Sequence, residues 1–402
     1  MFRVLVSDKI DKEGLSPLLE SEHIQCVQQN INEVADLHSY NALLVRSATK
    51  VTEEVIAKMP NLKIIARAGV GVDNIDIAAA TKHGIIVVNA PSGNTISTAE
   101  HTFAMMMALA RNICQANNSL KSGEWNRAAF RGTELKGKTL GIIGFGRIGS
   151  EIAKRAKAFE MVVLTYDPFL TKDRAEKLGI KQVDLDELLP NSDIITVHTP
   201  LTKETKGLLN MENFRNTKPG VMVINCARGG IIDEDALKHY LEIGHVAGAA
   251  LDVFSDEPPQ NVDLINMEHV IVTPHIAAST KEAQLNVAFI VAEEVLNFAN
   301  GKPVRNGINL PAVSSEAMAK VSPYYQLTKT MGRIISKLAT GAVKSLDILY
   351  SGEIWSLETS LITRGLLAGF LQPKVDFIVN DVNAPILAKE YGISFRECYP
   401  DN

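Results

Sequence analysis

Cysteine is scarce: only Cys26, Cys114, Cys226 and Cys398 occur in 402 residues, and no two of them form a C-x-x-C pair. That scatter supports neither a zinc site nor a disulfide framework, and it suits a reducing compartment. Long apolar runs are missing too. No stretch approaches the roughly 18 uncharged residues of a membrane span, and the N-terminal MFRVLVSDKIDKEG has too short an apolar run for a signal peptide. A soluble, cytoplasmic protein is the expectation. Charge of one sign does not dominate either: 41 basic residues against 46 acidic ones leave a net charge of −5. There is thus no bulk attraction to nucleic acid or anionic membrane, and an anionic ligand has to be met by local arginines. No tandem repeat, low-complexity tract or metal-ligand cluster is apparent.

What the chain does have is length, and with 46% hydrophobic residues it can bury a large core. A single core rarely serves more than about 250 to 300 residues, so two or three domains are expected. The most informative stretch runs from Lys138 to Asp167. Thr139 to Ile143 has the length and β-branched content of a buried strand and leads directly into Gly144-Phe-Gly146-Arg-Ile-Gly149. In such a G-x-G-x-x-G turn the first glycine permits the bend, the second lets a pyrophosphate approach the backbone, and the third allows close packing of helix on strand. A helix is predicted from about Arg147, burying Ile148, Ile152, Ala156 and Phe159, with its unpaired N–H groups facing the phosphates. A second strand, Met161 to Tyr166, ends at Asp167. An acid there accepts hydrogen bonds from ribose hydroxyls and repels a 2′-phosphate, so the cofactor expected is NAD rather than NADP.

The rest of the chain keeps an α/β rhythm. Strands are predicted at Phe2–Ser7, Ile24–Val27, Ala42–Val45, Lys63–Arg67 and Gly84–Asn89, then at Asp193–Val197, Val221–Cys226, Ala247–Leu251 and Val270–Thr273. A long helix is expected from Ser97 to about Ser122, opened by a capping box in Ser97-Thr-Ala-Glu100. Another, Lys281 to Phe298, should bury Leu285, Ala288, Ala292 and Leu296. If it returns the chain to the first domain, that domain is discontinuous. The predicted division is therefore 1–97 and 281–311 as one domain, 98–280 as the nucleotide-binding domain, and 312–402 as an appended one. The last contains helix patterns at Tyr325–Leu338 and Ile354–Leu371, a strand at Lys344–Tyr350 and a helical turn after Asn383-Ala-Pro385.

Three charged residues follow successive strands of the nucleotide domain: Arg228, Glu257 and His275. Taken singly, each has an ordinary explanation: an arginine before Gly-Gly can cap a turn, a glutamate can be solvated, and a histidine after proline can be structural. At three consecutive strand ends, on the edge where open sheets bind ligands, they match hydride chemistry on a 2-hydroxy acid. His275 would take the hydroxyl proton, Glu257 would hold its imidazole, and Arg228 would pair with the carboxylate. Arg46 and Arg67, at earlier strand ends, suit a second anionic group on the substrate, either a phosphate or a second carboxylate.

The segments VRSATKVT (45–52), RAGVGVDN (67–74), NAPSGNTISTAEHT (89–102), GTELKGKTLGIIGFGRIG (132–149), VHTPLTKETKGLLN (197–210), NCARGGIIDEDAL (225–237), AGAALDVFSDEPP (247–259) and TPHIAASTKEAQ (273–284) together resemble the D-isomer-specific 2-hydroxyacid dehydrogenases. The resemblance implies a Rossmann-type doubly wound sheet inserted in a smaller flavodoxin-like α/β substrate domain, with a short C-terminal α/β domain after it. It implies Arg228, Glu257 and His275 as the catalytic set. It implies NAD contacts from Gly144, Gly146, Arg147, Ile148, Gly149, Asp167, Thr199, Cys226 and Asp252, the last through the nicotinamide amide. Arg46, Arg67, Val70, Gly71 and Asn94 would face the substrate.

With the arginine pair, the implied reaction is oxidation of 3-phospho-D-glycerate to 3-phosphohydroxypyruvate, the entry step of serine synthesis, by a homodimer or homotetramer. In such dimers Arg127 or Arg131 would approach the partner's active site. The nearest alternative is another 2-hydroxyacid dehydrogenase, acting as a hydroxypyruvate, glyoxylate or 2-oxoglutarate reductase. An NAD-sensing corepressor is a further one. Residues 379–394 resemble the start of the intervening domain of long family members. Those continue to a serine-sensing ACT domain, which this sequence does not reach, so serine feedback of that kind is not expected.

Overall fold

The computed structural model describes residues 1–311, 313 and 315–399; Ala312, Ser314 and Pro400 to Asn402, in the expected segment 312–402, lie outside the described residues. The chain divides into two compact units, Met1–Gly93 with Gln284–Asn402, and Asn94–Ala283. Among the described residues no helix is long and apolar enough to cross a membrane.

The first unit carries strands β1 (Phe2–Val6), β2 (Ile24–Gln28), β3 (Ala42–Val45), β4 (Ile64–Arg67) and β5 (Ile86–Asn89), all parallel in the order 2-1-3-4-5. Alternate residues point to opposite faces, and both faces are covered, as an all-parallel sheet requires. Val4, Val6, Leu44 and Ala66 meet Val287, Ala288, Val291, Ala292 and Val295 of the returning helix, while Leu5, Leu43, Val45 and Ile65 meet Ile56, Met59 and Ala80. The returning chain is tied down by Asn309, whose Oδ1 accepts from the Val87 amide at 2.9 Å and whose Nδ2 donates to Thr81 Oγ1 at 3.0 Å and to the Ile85 carbonyl at 2.9 Å.

The second unit holds β6 (Thr139–Ile143), β7 (Val162–Tyr166), β8 (Lys181–Gln182), β9 (Ile194–Val197), β10 (Val221–Asn225), β11 (Val246–Leu251) and β12 (Val270–Val272). They form one parallel sheet in the order 12-11-10-9-6-7-8. Strand order reverses between β6 and β9. The crevice outside the carboxyl ends at such a switch point is where doubly wound sheets bind ligands.

The C-terminal segment adds helices Ser315–Leu338 and Thr359–Leu371 and a parallel strand pair, β13 (Ser345–Leu349) with β14 (Ser394–Cys398). The two helices cross closely, because a Cβ on Gly369 would lie 1.9 Å from the Lys329 carbonyl oxygen and one on Gly332 2.2 Å from that of Leu366. Asn380 Nδ2 donates to the Gly84 carbonyl at 2.7 Å and Asn383 Nδ2 to that of Lys82 at 3.4 Å, latching this segment to a helix end beside β5.

The structure corrects several expectations. The helix predicted over 97–122 is two, Thr95–Ala110 and Ile113–Lys121, because Asn112 adopts a left-handed φ of 51°. The capping box does not form: the helix starts at Thr95, and Ser97, inside it, pairs with Thr280 Oγ1 at 2.8 Å. In helix Arg147–Ala158 the buried face is Gly149, Ile152, Ala153 and Ala156, with Phe159 exposed past its end. The returning helix buries a valine stripe in place of Leu285 and Leu296, which are half-buried. Between Ile354 and Leu371 a 3-10 turn, Gly352–Ser356, precedes the helix. Strands β8 and β14 were not expected at all; one has two residues and the other carries adjacent charges, Arg396 and Glu397, at its centre.

Replacing Asn309 by alanine strands the buried Val87 amide, and a loss of about 2 kcal/mol is expected. An earlier urea midpoint is the readout, and an unchanged one would mean that water replaces the amide.

Candidate active site

The glycine turn lies where β6 ends, with helix Arg147–Ala158 starting inside it. Gly144 has φ of 94°, and a Cβ there would sit 2.7 Å from the His198 carbonyl oxygen. A Cβ on Gly149 would lie 2.3 Å from the Gly144 carbonyl oxygen, so only glycine lets the helix approach the strand end this closely. Around Gly146 there is open space, and the helix has no side-chain N-cap, which leaves its first N–H groups, including those of Arg147 and Ile148, available to an anion. Asp167, just past β7, accepts from the backbone amides of Phe145 at 2.7 Å and Phe169 at 2.8 Å, which fixes the acid relative to the turn. Thr199 Oγ1 is buried without a hydrogen-bond partner, and its methyl group would touch a Cβ on Gly144. A dinucleotide fits these residues: a phosphate at the helix start, ribose hydroxyls at Asp167, and a polar group for the Thr199 hydroxyl.

On the other side of the switch point, β10, β11 and β12 end nearly level, with Asn225 opposite Leu251 and Leu251 opposite Val272. Asn225 shapes the first loop: its Oδ1 accepts from the Ala227 amide at 3.0 Å and its Nδ2 donates to the Arg228 carbonyl at 2.9 Å. A Cβ on Gly229 would lie 1.8 Å from the Phe254 carbonyl oxygen, so the loops carrying Arg228 and Glu257 touch backbone to backbone. Glu257 Oε1 accepts from the Phe254 amide at 3.3 Å, and Oε2 accepts from His275 Nδ1 at 2.8 Å. A carboxylate only accepts, so Nδ1 carries the proton and the neutral ring presents a lone pair at Nε2. His275 and Glu257 are 46% and 42% exposed, open to a ligand. His275 is one of the few non-glycine residues with positive φ, at 52°.

Asp252 holds that backbone in place. It has no exposed surface; Oδ1 accepts from Thr273 Oγ1 at 2.6 Å and the Ile276 amide at 2.8 Å, and Oδ2 accepts from the Ala277 amide at 2.9 Å. Burial alone would raise its pKa, but the nearby His101 and the bonds from Thr273, Ile276 and Ala277 outweigh burial and hold the carboxyl below its ordinary range. Cys226 is buried, and burial pushes its thiol up to about 12, so its side chain packs and any cofactor contact falls to its backbone. Asn94 stands at the start of helix Thr95–Ala110 in this same unit.

Arg46, Arg67, Val70 and Gly71 belong to the other unit. There Arg46 follows β3 and Arg67 ends the adjacent β4, in a register pairing Val45 with Arg67. The Arg67 guanidinium occupies space that a Cβ on Gly69 would fill, at 1.5 Å. Sequence reasoning missed the residues that support these loops. Asp8 accepts from the Arg46 amide and the Thr49 hydroxyl, Asn74 Nδ2 donates to the Arg46 and Thr49 carbonyls at 2.7 and 2.6 Å, and Asn89 Nδ2 donates to the Val70 carbonyl at 2.6 Å. Their signal in the sequence is slight, a short polar side chain at a strand end or in the turn after one.

His198, beside the glycine turn, has Nε2 2.8 Å from Thr196 Oγ1, and burial lowers its pKa to about 3. A histidine lowered on folding contributes stability above the unfolded value of about 6.5 that is lost as pH falls toward the folded one. Acid titration of unfolding should therefore show His198→Gln losing less stability than the parent between those limits; parallel curves would refute the assignment.

Residues 103–277 match the family described as D-isomer specific 2-hydroxyacid dehydrogenase, NAD binding domain, and residues 320–402 match the D-3-phosphoglycerate dehydrogenase intervening domain. The chain is 62% identical over 398 residues to D-3-phosphoglycerate dehydrogenase of Bacillus subtilis (strain 168), covering 99% of this chain and 76% of that one. It is 50% identical over 400 residues to the protein of the same name from Archaeoglobus fulgidus, covering 98% and 76%. Among solved structures, D-lactate dehydrogenase from Aquifex aeolicus complexed with NAD and lactic acid aligns with a TM-score of 0.68 at 32% identity, over 77% of this chain and all of that one. NAD-dependent formate dehydrogenase from Staphylococcus aureus in complex with NAD aligns with a TM-score of 0.68 at 33% identity, over 78% of this chain and all of that one.

Proposed function

The chain belongs to the D-isomer-specific 2-hydroxyacid dehydrogenases, and on that premise we propose that it oxidises 3-phospho-D-glycerate to 3-phosphohydroxypyruvate with NAD, at the entry to serine synthesis. The observation that carries the reading is the His275–Glu257 pair at 2.8 Å, set level with the Arg228 loop at the carboxyl edge of a dinucleotide-binding sheet. NAD, when bound, supplies the acceptor for the hydride that leaves C2 of the substrate. His275 Nε2 takes the C2 hydroxyl proton as the carbonyl forms. Glu257 keeps the ring oriented and stabilises the imidazolium that results. The Arg228 guanidinium pairs with the substrate carboxylate and the carbonyl oxygen, placing C2 and offsetting charge on that oxygen. The backbone amides of Arg147 and Ile148 hold the cofactor phosphates, and Asp167 selects an unphosphorylated ribose.

Arg46 and Arg67, on neighbouring strand ends, supply charge for the substrate phosphate, and the backbone of Val70 and Gly71 and the Asn94 side chain are further substrate contacts. The nearly balanced charge and the free cysteines suit a cytoplasmic enzyme, and a homodimer or homotetramer, with dimers formed around the nucleotide-binding unit, accords with the family.

The first test is NADH formation at alkaline pH from 3-phospho-D-glycerate, beside D-glycerate and D-2-hydroxyglutarate, with a ketone trap. Preference for the phosphorylated acid supports the reading; turnover of the other two alone removes it. His275→Ala should lower kcat by about a hundred- to ten-thousand-fold while NADH affinity, followed by fluorescence, stays unchanged; equal loss of both would make the residue structural. Arg67→Ala should raise the KM for 3-phospho-D-glycerate by about tenfold or more and leave that for D-glycerate alone. Equal changes in the two constants would take the phosphate away from Arg67.

A further inference from the structure

His275 is held at a φ of 52°, a left-handed conformation that residues with a β-carbon seldom adopt. Such a backbone persists only where its surroundings fix it. Here the fixing group is Asp252, which bonds the amides of the two residues after His275, and Asp252 has a further support on another element. His101, on helix Thr95–Ala110, places Nε2 3.1 Å from Thr273 Oγ1 and 3.4 Å from Asp252 Oδ1. We propose that His101 is a positioning residue for the reaction, holding His275 in place through the Thr273 hydroxyl and the Asp252 carboxylate.

The direction of the hydrogen bonds follows from counting protons. Thr273 has one hydroxyl proton, and at 2.6 Å the carboxylate takes it in preference to Met105 Sδ at 3.9 Å. The hydroxyl oxygen can then only accept from His101, so the His101 tautomer is the one protonated at Nε2. The chain of donation runs from His101 to Thr273 to Asp252, and Asp252 in turn accepts the amides of Ile276 and Ala277. Without the imidazole N–H, the Thr273 hydroxyl loses the donor that orients it, and a carboxylate with no exposed surface loses part of its compensation. The loop then has a weaker anchor, and His275 can leave the conformation in which Nδ1 meets Glu257. Among the described residues no hydrogen bond or ion pair joins His101 to His275 or Glu257, so its effect on the reaction passes through this relay. All of these residues lie within one unit, Asn94–Ala283.

The inference rests on His275 being the acid-base residue of the proposed reaction. Its test compares the parent with His101→Leu, His101→Gln, Thr273→Val and the His101→Leu/Thr273→Val double variant. For each, kcat and KM are measured with 3-phospho-D-glycerate and NAD, together with hydrogen–deuterium exchange of the Ile276 and Ala277 amides, which needs no turnover. His101→Leu should lower kcat about tenfold with both KM values within about twofold, and should speed exchange of the two amides about tenfold. His101→Gln, which places an amide N–H near the position of Nε2, should recover kcat to within about threefold of the parent. In the Thr273→Val background, adding His101→Leu should cost less than about twofold more, because the relay is already broken.

Unchanged exchange in His101→Leu overturns the proposal, as does unchanged kcat in an active parent. Losses that multiply in the double variant, or a glutamine as slow as the leucine, overturn it as well. A parent inactive on 3-phospho-D-glycerate would instead refute the reaction proposed above, and amide exchange would still decide whether His101 holds the loop.

Discussion

A single carboxylate with no exposed surface fixes the geometry of the site. Asp252 follows β11, which lies beside the edge strand β12, and its oxygens gather donors from the neighbouring strand end and from the loop beyond it. Leaving such a charge buried is tolerable only with its acceptor positions filled. That requirement works in both directions, since the loop amides need an acceptor and the carboxylate needs donors. The histidine between them has little freedom, and the pairing of His275 with Glu257 follows from that constraint as much as from their mutual attraction.

Steric limits complete what the carboxylate begins. Gly229 brings the Arg228 loop against the Phe254 carbonyl, and Gly149 brings the helix start against the Gly144 carbonyl. In each case one missing methyl group sets how near two backbone segments lie. The site is thus built from backbone approach on both sides of the switch point, with charged side chains added at strand ends whose level is set by parallel register.

Much of this was legible in the sequence, because buried parallel strands are written as short β-branched runs and glycine turns are written as glycines. Thr139–Ile143 and Ala42–Val45 appear where the pattern puts them. The placement of Arg228, Glu257 and His275 after neighbouring strand ends was legible because each follows such a run. What failed depended on long-range partners. Ser97-Thr-Ala-Glu100 reads as a helix start, yet the helix begins at Thr95, and Ser97 finds its partner at Thr280, far along the chain. Asn112 breaks a helix whose side-chain pattern continues, since the bend lies in its backbone. Strand β14 exists only because β13 offers it an edge, and its side chains do not read as a buried strand. His101, Asn74 and Asn89 were illegible for the same reason, a hydrogen-bond partner distant in sequence.

The latch between the C-terminal segment and the rest of its unit consists of two side-chain amides reaching the carbonyls of Lys82 and Gly84 at the end of a helix. Those carbonyls have no helical partner of their own, and water satisfies them as readily as an asparagine does. A docking point of this kind asks nothing of the host that the host does not already expose. Its evolutionary consequence is portability: a catalytic body can acquire such a module, or shed it, with no change to its own sheet.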